Sequence, residues 1–97
     1  MRIRQIDSRN ALYGLLKYQI RFNTKDKARY FSIMGWCHET WGWTIDYYNF
    51  NELTAEFNKN KWSWRCTDTR SSLAILELYL ASDEELTLFN LRWIGNE

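Results

Sequence analysis

The sequence predicts an α+β fold: a small antiparallel sheet of three or four strands packed against helices, with a helical addition at the C-terminus. Three observations lead there. Short runs such as "RIRQI" and "TWGWTIDYY" carry apolar residues at every second position, the spacing of a half-buried strand. Longer stretches, 9–22 and 68–81, spread their apolar residues at helical spacing. Asn, Asp, Ser and Thr stand between these stretches as caps and turn residues, and the 97 residues include no proline.

Residues 2–6 alternate as a short strand, and "DSRN" supplies cap residues for a helix over about 9–22. In that helix Ala11, Leu12, Leu15, Leu16, Ile20 and Phe22 share one arc, with Asn10, Gly14, Lys17 and Arg21 opposite. After a polar break at 23–27, the aromatic-rich runs 28–36 and 40–48 read as two strands of a hairpin, turned by Cys37, His38 and Glu39. Trp41, Trp43, Ile45 and Tyr47 then line one face of the second strand. A short helix at 51–60 and a third strand at 61–67 follow, the strand with Trp62, Trp64 and Cys66 on one face and Lys61, Ser63 and Arg65 on the other. Cap residues at 67–69 open a buried helix reaching Ala81. Ser82 and Glu85 form a capping-box pattern, so 84–94 is read as helix, although Thr87, Phe89, Leu91 and Trp93 also alternate.

This order suggests a ferredoxin-like βαββαβ core with a C-terminal addition, or an αβββα sandwich of the double-stranded-RNA-binding kind with an inserted helix. No linker composition and no internal repeat divides the chain, so 1–97 is read as a single domain. With 18% aromatic residues it has apolar area enough to fold without disulfides or metal. The longest apolar run, "LAILELYLA", is broken by Glu77 and far too short for a bilayer span, and the basic N-terminus lacks the apolar segment of a secretory signal. Two cysteines make a poor disulfide framework, which suggests free thiols and a cytoplasmic protein, with a Cys37–Cys66 bridge as the alternative in an oxidising compartment.

Catalytic chemistry finds little to stand on. A zinc site needs about four ligands, usually from two closely spaced pairs; here Cys37 and His38 are adjacent and Cys66 stands alone. A thiol–imidazole dyad would need Cys66 to lie beside His38, with Glu39 or Asp46 orienting the ring. Glu52 and Glu56 share a helix face, as solvated carboxylates commonly do. The expectation is a non-enzymatic protein without metal or cofactor, a small Cys/His enzyme being a third reading.

Charge is more informative. Residues 1–29 carry eight basic side chains against two acidic, and the remainder five against ten. Such asymmetry can steer the chain toward an acidic partner, toward nucleic acid or toward its own copy in a homo-oligomer. The residues expected to touch a partner are Lys17, Arg21, Lys25, Lys27 and Arg29, with Trp36, His38 and Trp41 at the hairpin tip. The Trp pairs 41/43 and 62/64 are read as core, with at least one indole near the surface, at Trp36, Trp41 or Trp93.

Short, starting at Met1 as a complete reading frame would, free of proline, rich in Trp, Tyr and Asn and without catalytic motifs, the chain looks like the small accessory proteins of phages and mobile elements. Those include inhibitors of bacterial defence systems. The resemblance, one of size and composition, implies a binding module that blocks a host complex by protein–protein contact. The alternative is a nucleic-acid-binding domain using its basic third and exposed aromatics.

Overall fold

The computed structural model describes residues 1–51, 61–67 and 74–94. Alternating charged and apolar side chains make β1 (Arg2–Gln5), the strand expected at 2–6. With β2 (Tyr18–Arg21), β3 (Trp62–Cys66) and β4 (Leu76–Leu80) it forms a four-stranded sheet in the order β1-β2-β4-β3, every pair antiparallel. Among the described residues two helices cover one face: α1 (Lys27–Trp41), and α2 (Asp83–Phe89), which runs on as a π-helical turn over Asn90–Ile94. The α+β class, the small antiparallel sheet, the strand at 61–67 and the C-terminal helix agree with the sequence-based expectation. Among the described residues the chain order is ββαββα.

Between the sheet and the helices lies the main core, with Ile20, Leu76, Leu78, Leu80 and Trp62 from the strands and Phe22 just past β2 meeting Tyr30, Ile33 and Cys37 of α1 and Phe89 of α2. Burial at positions 30, 33 and 37 follows helical spacing, so α1 presents one stripe to the sheet. A second, smaller cluster sits on the opposite face at one end, where Ile6, Leu12, Leu16 and Phe50 close over Tyr79.

Three elements differ from expectation. Residues 9–22 are not a helix: a turn-rich connection runs to Lys17 and β2 follows. Asp7 accepts from the backbone N–H of Arg9 at 3.0 Å and Asn10 from that of Leu12 at 2.9 Å, local bonds that compete with a helix, and Gly14 has φ +90°. The arc of apolar residues had mixed two surfaces, since Leu12 and Leu16 face the smaller cluster while Ile20 and Phe22 face the main core.

The expected hairpin over 28–48 is also absent. Cys37, His38 and Glu39 lie inside α1, which ends at Gly42. Aromatic enrichment suggested strands, but between Ala28 and Trp41 only Ile33 and Thr40 are β-branched, so little opposes a helix. Gly42, at φ +85° and ψ −179°, stops it in a conformation open essentially to glycine alone. Trp43 consequently faces solvent at 67% exposure instead of packing beside Trp41, while Trp36, Trp41 and Trp93 are half-buried.

Lastly, the helix expected to reach Ala81 is the strand β4 over its final residues. All five residues of β4 are buried, because the strand is central and covered on both faces; Glu77 and Tyr79 alternate with its leucines, but neither phase meets solvent as a half-buried strand would. The expected helix at 51–60 and the Glu52–Glu56 pair lie outside the described residues, as does the start of the expected 68–81 helix.

Candidate anion-binding sheet face

The face turned away from the helices is built by the residues that alternate with the core. Register places Arg2, Arg21, Glu77 and Arg65 directly opposite one another on successive strands, so one row crosses the whole sheet. A second row, Arg4, Gln19, Tyr79 and Ser63, lies beside it. Among the described residues, the four arginines and one carboxylate of these two rows give a surplus of three positive charges.

Glu77 is fully buried at the centre of the row. Its Oε2 accepts from Arg21 Nε and from the same guanidinium's terminal nitrogen, both at 2.9 Å, a forked pair matched to guanidinium geometry. Its Oε1 accepts from the Tyr79 hydroxyl at 2.8 Å, and an Arg65 nitrogen lies 3.6 Å away. The second row continues this network: Arg4 Nε donates to Gln19 Oε1 at 2.6 Å, and Gln19 Nε2 donates to the Tyr79 hydroxyl at 3.1 Å. Burial raises the Tyr79 phenol well above the usual tyrosine range, so it remains a neutral donor. A polar chain thus spans β1 to β3 with its buried members satisfied.

Arg65 ends the row against an aromatic wall. Its guanidinium stands 5.0 Å from the Tyr47 ring and 5.2 Å from the Tyr48 ring, and its Nε donates to the Tyr48 hydroxyl at 2.9 Å. Tyr48 remains 60% exposed. At the other end Arg2 lies directly opposite Arg21; like charges so placed repel, and an anion between them would relieve that. Among the described residues no carboxylate lies within ion-pair distance of Arg2 or Arg4, although Arg4 contributes at longer range to lowering the Asp7 carboxyl, after Arg9.

The residues expected from sequence are scattered. Arg21 belongs to the row. Lys17 sits at the end of β2, where its Nζ meets Asp83 Oδ1 at 2.9 Å, beside a hydrogen bond from the Tyr18 hydroxyl to the same carboxylate. Those two donors, Tyr18 first, hold the Asp83 carboxyl below the usual range. Lys25, Lys27 and Arg29 gather at the start of α1 on the helical layer, with Arg29 donating to the Trp93 carbonyl at 3.2 Å. Trp36 and Trp41 do meet, rings 5.0 Å apart, in a cluster with Phe89 and Trp93. His38 lies exposed on α1 with its ring edge-on to Trp62 at 4.8 Å, so it belongs to a helix and not to a hairpin tip.

Both cysteines are free, and burial raises both thiols; at Cys66 it outweighs the opposing pull of Lys27, so neither is an activated thiol. Cys37 points into the core, where burial pushes its thiol up to about 12; His38, the next residue on the helix, turns about 100° away. Among the described residues no three His, Cys, Asp or Glu side chains gather as a metal would require, and no helix is long and apolar enough to cross a membrane.

Sequence reasoning passed over Arg2, Arg4, Arg65 and Glu77 as a unit. The signal was present in the alternation of "RIRQ", "YQIR", "WSWRC" and "LELYL", each with charged or polar residues in the phase opposite its apolar ones. No family model, no curated protein and no solved structure matches the chain.

Proposed function

We propose that the protein is a non-enzymatic binding module that acts by contact, presenting the arginine-bearing sheet face to an acidic surface of a protein partner. The observation that carries this reading is the row Arg2–Arg21–Glu77–Arg65 with Arg4 beside it, four guanidiniums held in register on a rigid sheet around one buried carboxylate. Arginine and tyrosine are among the side chains that most often dominate interfaces, and the polar chain restrains Arg4, Arg21 and Arg65 before a partner arrives. Blocking a host complex by occupying an acidic patch is the mode of action that the resemblance to phage and mobile-element accessory proteins implies. Two free thiols suit a reducing cytoplasm.

A second reading, direct binding of single-stranded nucleic acid, is favoured by Arg65 stacked on Tyr47 and Tyr48 at the edge of a basic sheet face. Titrating polyglutamate and a single-stranded oligonucleotide against the protein over a range of salt separates the two. Tighter binding of polyglutamate supports the protein-partner reading. Tighter binding of the oligonucleotide, with affinity falling steeply as salt rises, replaces it with the nucleic-acid reading. If neither polymer binds above the level of an Arg2→Glu/Arg4→Glu variant, the face is not a contact surface.

A further inference from the structure

The two edges of the sheet are not equivalent. Along β3 the outer edge is engaged by the chain that follows α1: Trp62 Nε1 donates to the Gly42 carbonyl at 2.9 Å, and Thr44 Oγ1 donates to the Trp62 carbonyl at 2.6 Å. Along β1 no strand lies on the outer side among the described residues. The Ile6 N–H donates to the Lys17 carbonyl at 2.8 Å; by the alternation of an antiparallel ladder, Arg2 and Arg4 also bond β2, while the N–H and C=O groups of Ile3 and Gln5 point outward.

The surroundings of that edge differ on its two sides. Toward the helices runs a shallow, mainly apolar groove of about 640 Å³, lined by Ile3, Leu86, Leu91 and Ile94 together with Asn90. The Asn90 Oδ1 is buried and has no hydrogen-bond donor among the described residues, an unfilled acceptor in the π-helical turn that forms the groove wall. Toward the other side stand Arg2 and Arg4.

We infer that β1 is a docking edge for an extended peptide of alternating apolar and acidic residues, which adds to the sheet as a fifth strand. In this arrangement the backbone of the peptide bonds Ile3 and Gln5, its apolar side chains enter the groove and its carboxylates face Arg2 and Arg4. A strand has the required period of two, so one segment satisfies both sides at once. The arginines also decide against a second copy of the chain as occupant. Pairing β1 with another β1 would bring Arg2 and Arg4 of both copies onto one face, where they repel. This inference rests on the proposed function, since it names the part of an acidic partner that docks and where it lies.

The probe is a synthetic seven-residue peptide alternating Glu and Val, compared with its Lys/Val counterpart and with the same composition in two blocks, each added to the full-length protein. Backbone amide exchange followed by NMR is the first readout. The Glu/Val peptide slows exchange at Ile3 and Gln5 at least about tenfold, and the other two peptides do not. The second readout is affinity. Gln5→Pro removes an outward N–H while sparing the bonds to β2, and weakens the peptide about tenfold; Arg2→Glu/Arg4→Glu transfers the preference to the Lys/Val peptide.

Unchanged exchange at Ile3 and Gln5, or block and alternating peptides bound alike, overturns the inference. If Arg65→Gln abolishes binding of the Glu/Val peptide while Gln5→Pro and the two amides are indifferent, the anion lies across the sheet face; the proposed function then stands and strand addition fails. If no arginine substitution matters, both fail.

Discussion

Replacing Glu77 by glutamine separates the stability of the sheet from its binding. The wild-type carboxylate accepts two N–H groups from Arg21 on one oxygen and the Tyr79 hydroxyl on the other. An amide retains one accepting oxygen, so it can serve Arg21 or Tyr79 and not both. Losing hydrogen bonds to a charged group costs about 1.5–3 kcal/mol each, but Arg21 is 58% exposed and its guanidinium regains water, which reduces its share to about 1 kcal/mol or less. Tyr79 is buried, so failure to satisfy its hydroxyl adds about 1 kcal/mol or more. The expected loss is about 2 kcal/mol, a fall in Tm of roughly 8–16 °C for a chain of this size.

Binding should move the other way. Glu77→Gln removes the negative charge at the centre of the arginine row, and a unit charge at contact distance in a water-facing site is worth about 1 kcal/mol, or about fivefold in affinity. Thermal unfolding at neutral pH gives the first quantity and titration of polyglutamate below the transition gives the second. A variant that is folded, less stable and tighter-binding is the expected result. A folded variant whose affinity is unchanged or weaker would refute the placement of the anion on this face, and a change in Tm under about 2 °C would refute the energetic role of the buried carboxylate.

Gly42→Ala should destabilise by about 1–3 kcal/mol, seen as a lower urea midpoint, because its φ of +85° with ψ near 180° suits only glycine; among the described residues no atom beyond its two chain neighbours lies within 4 Å of the added Cβ, so the cost is conformational. Asp83 has its folded-state carboxyl pKa lowered by the Tyr18 hydroxyl and Lys17, so its contribution is present above the unfolded value of about 3.9 and disappears as pH falls through the lower folded value. The Tm gap between wild type and Asp83→Asn should therefore narrow with acid, and a gap that widens would contradict the contact. Cys37, its thiol raised to about 12 by burial, stabilises the fold below the unfolded value of about 8.5 and ceases to as pH climbs toward 12. At pH 8 a disulfide reagent should modify the half-buried Cys66 well before Cys37, which should react only as fast as the protein opens; equal rates under native conditions would count against this core.

The parts legible from sequence are those in which one physical signal acts alone. β1 and β3 alternate cleanly because one face of each is polar, and α2 carries Ser82 at its N-cap with acids in the first turn, the Ser82 hydroxyl donating to Glu85 at 2.8 Å. α1 was hidden by its aromatics, whose strand preference is a packing preference that the sheet satisfies from above. β4 was hidden by burial on both faces, which leaves no polar phase apart from Glu77. The basic N-terminal third was visible as a charge bias, yet strand pairing divides it, sending Arg2, Arg4 and Arg21 to one side of the sheet and Lys25, Lys27 and Arg29 to the other. Arg65 and Glu77 join the former only through register, across sequence separations that no local pattern records.

That division supplies the most direct test. Arg2→Glu/Arg4→Glu and Lys25→Glu/Lys27→Glu change the net charge equally, one on the open sheet face and the other at the start of α1. Affinity for polyglutamate, measured at one fixed salt concentration, should collapse in the first variant and fall only slightly in the second. Equal losses would mean that net charge alone governs binding, and a greater loss in the second would move the contact surface to the helical layer.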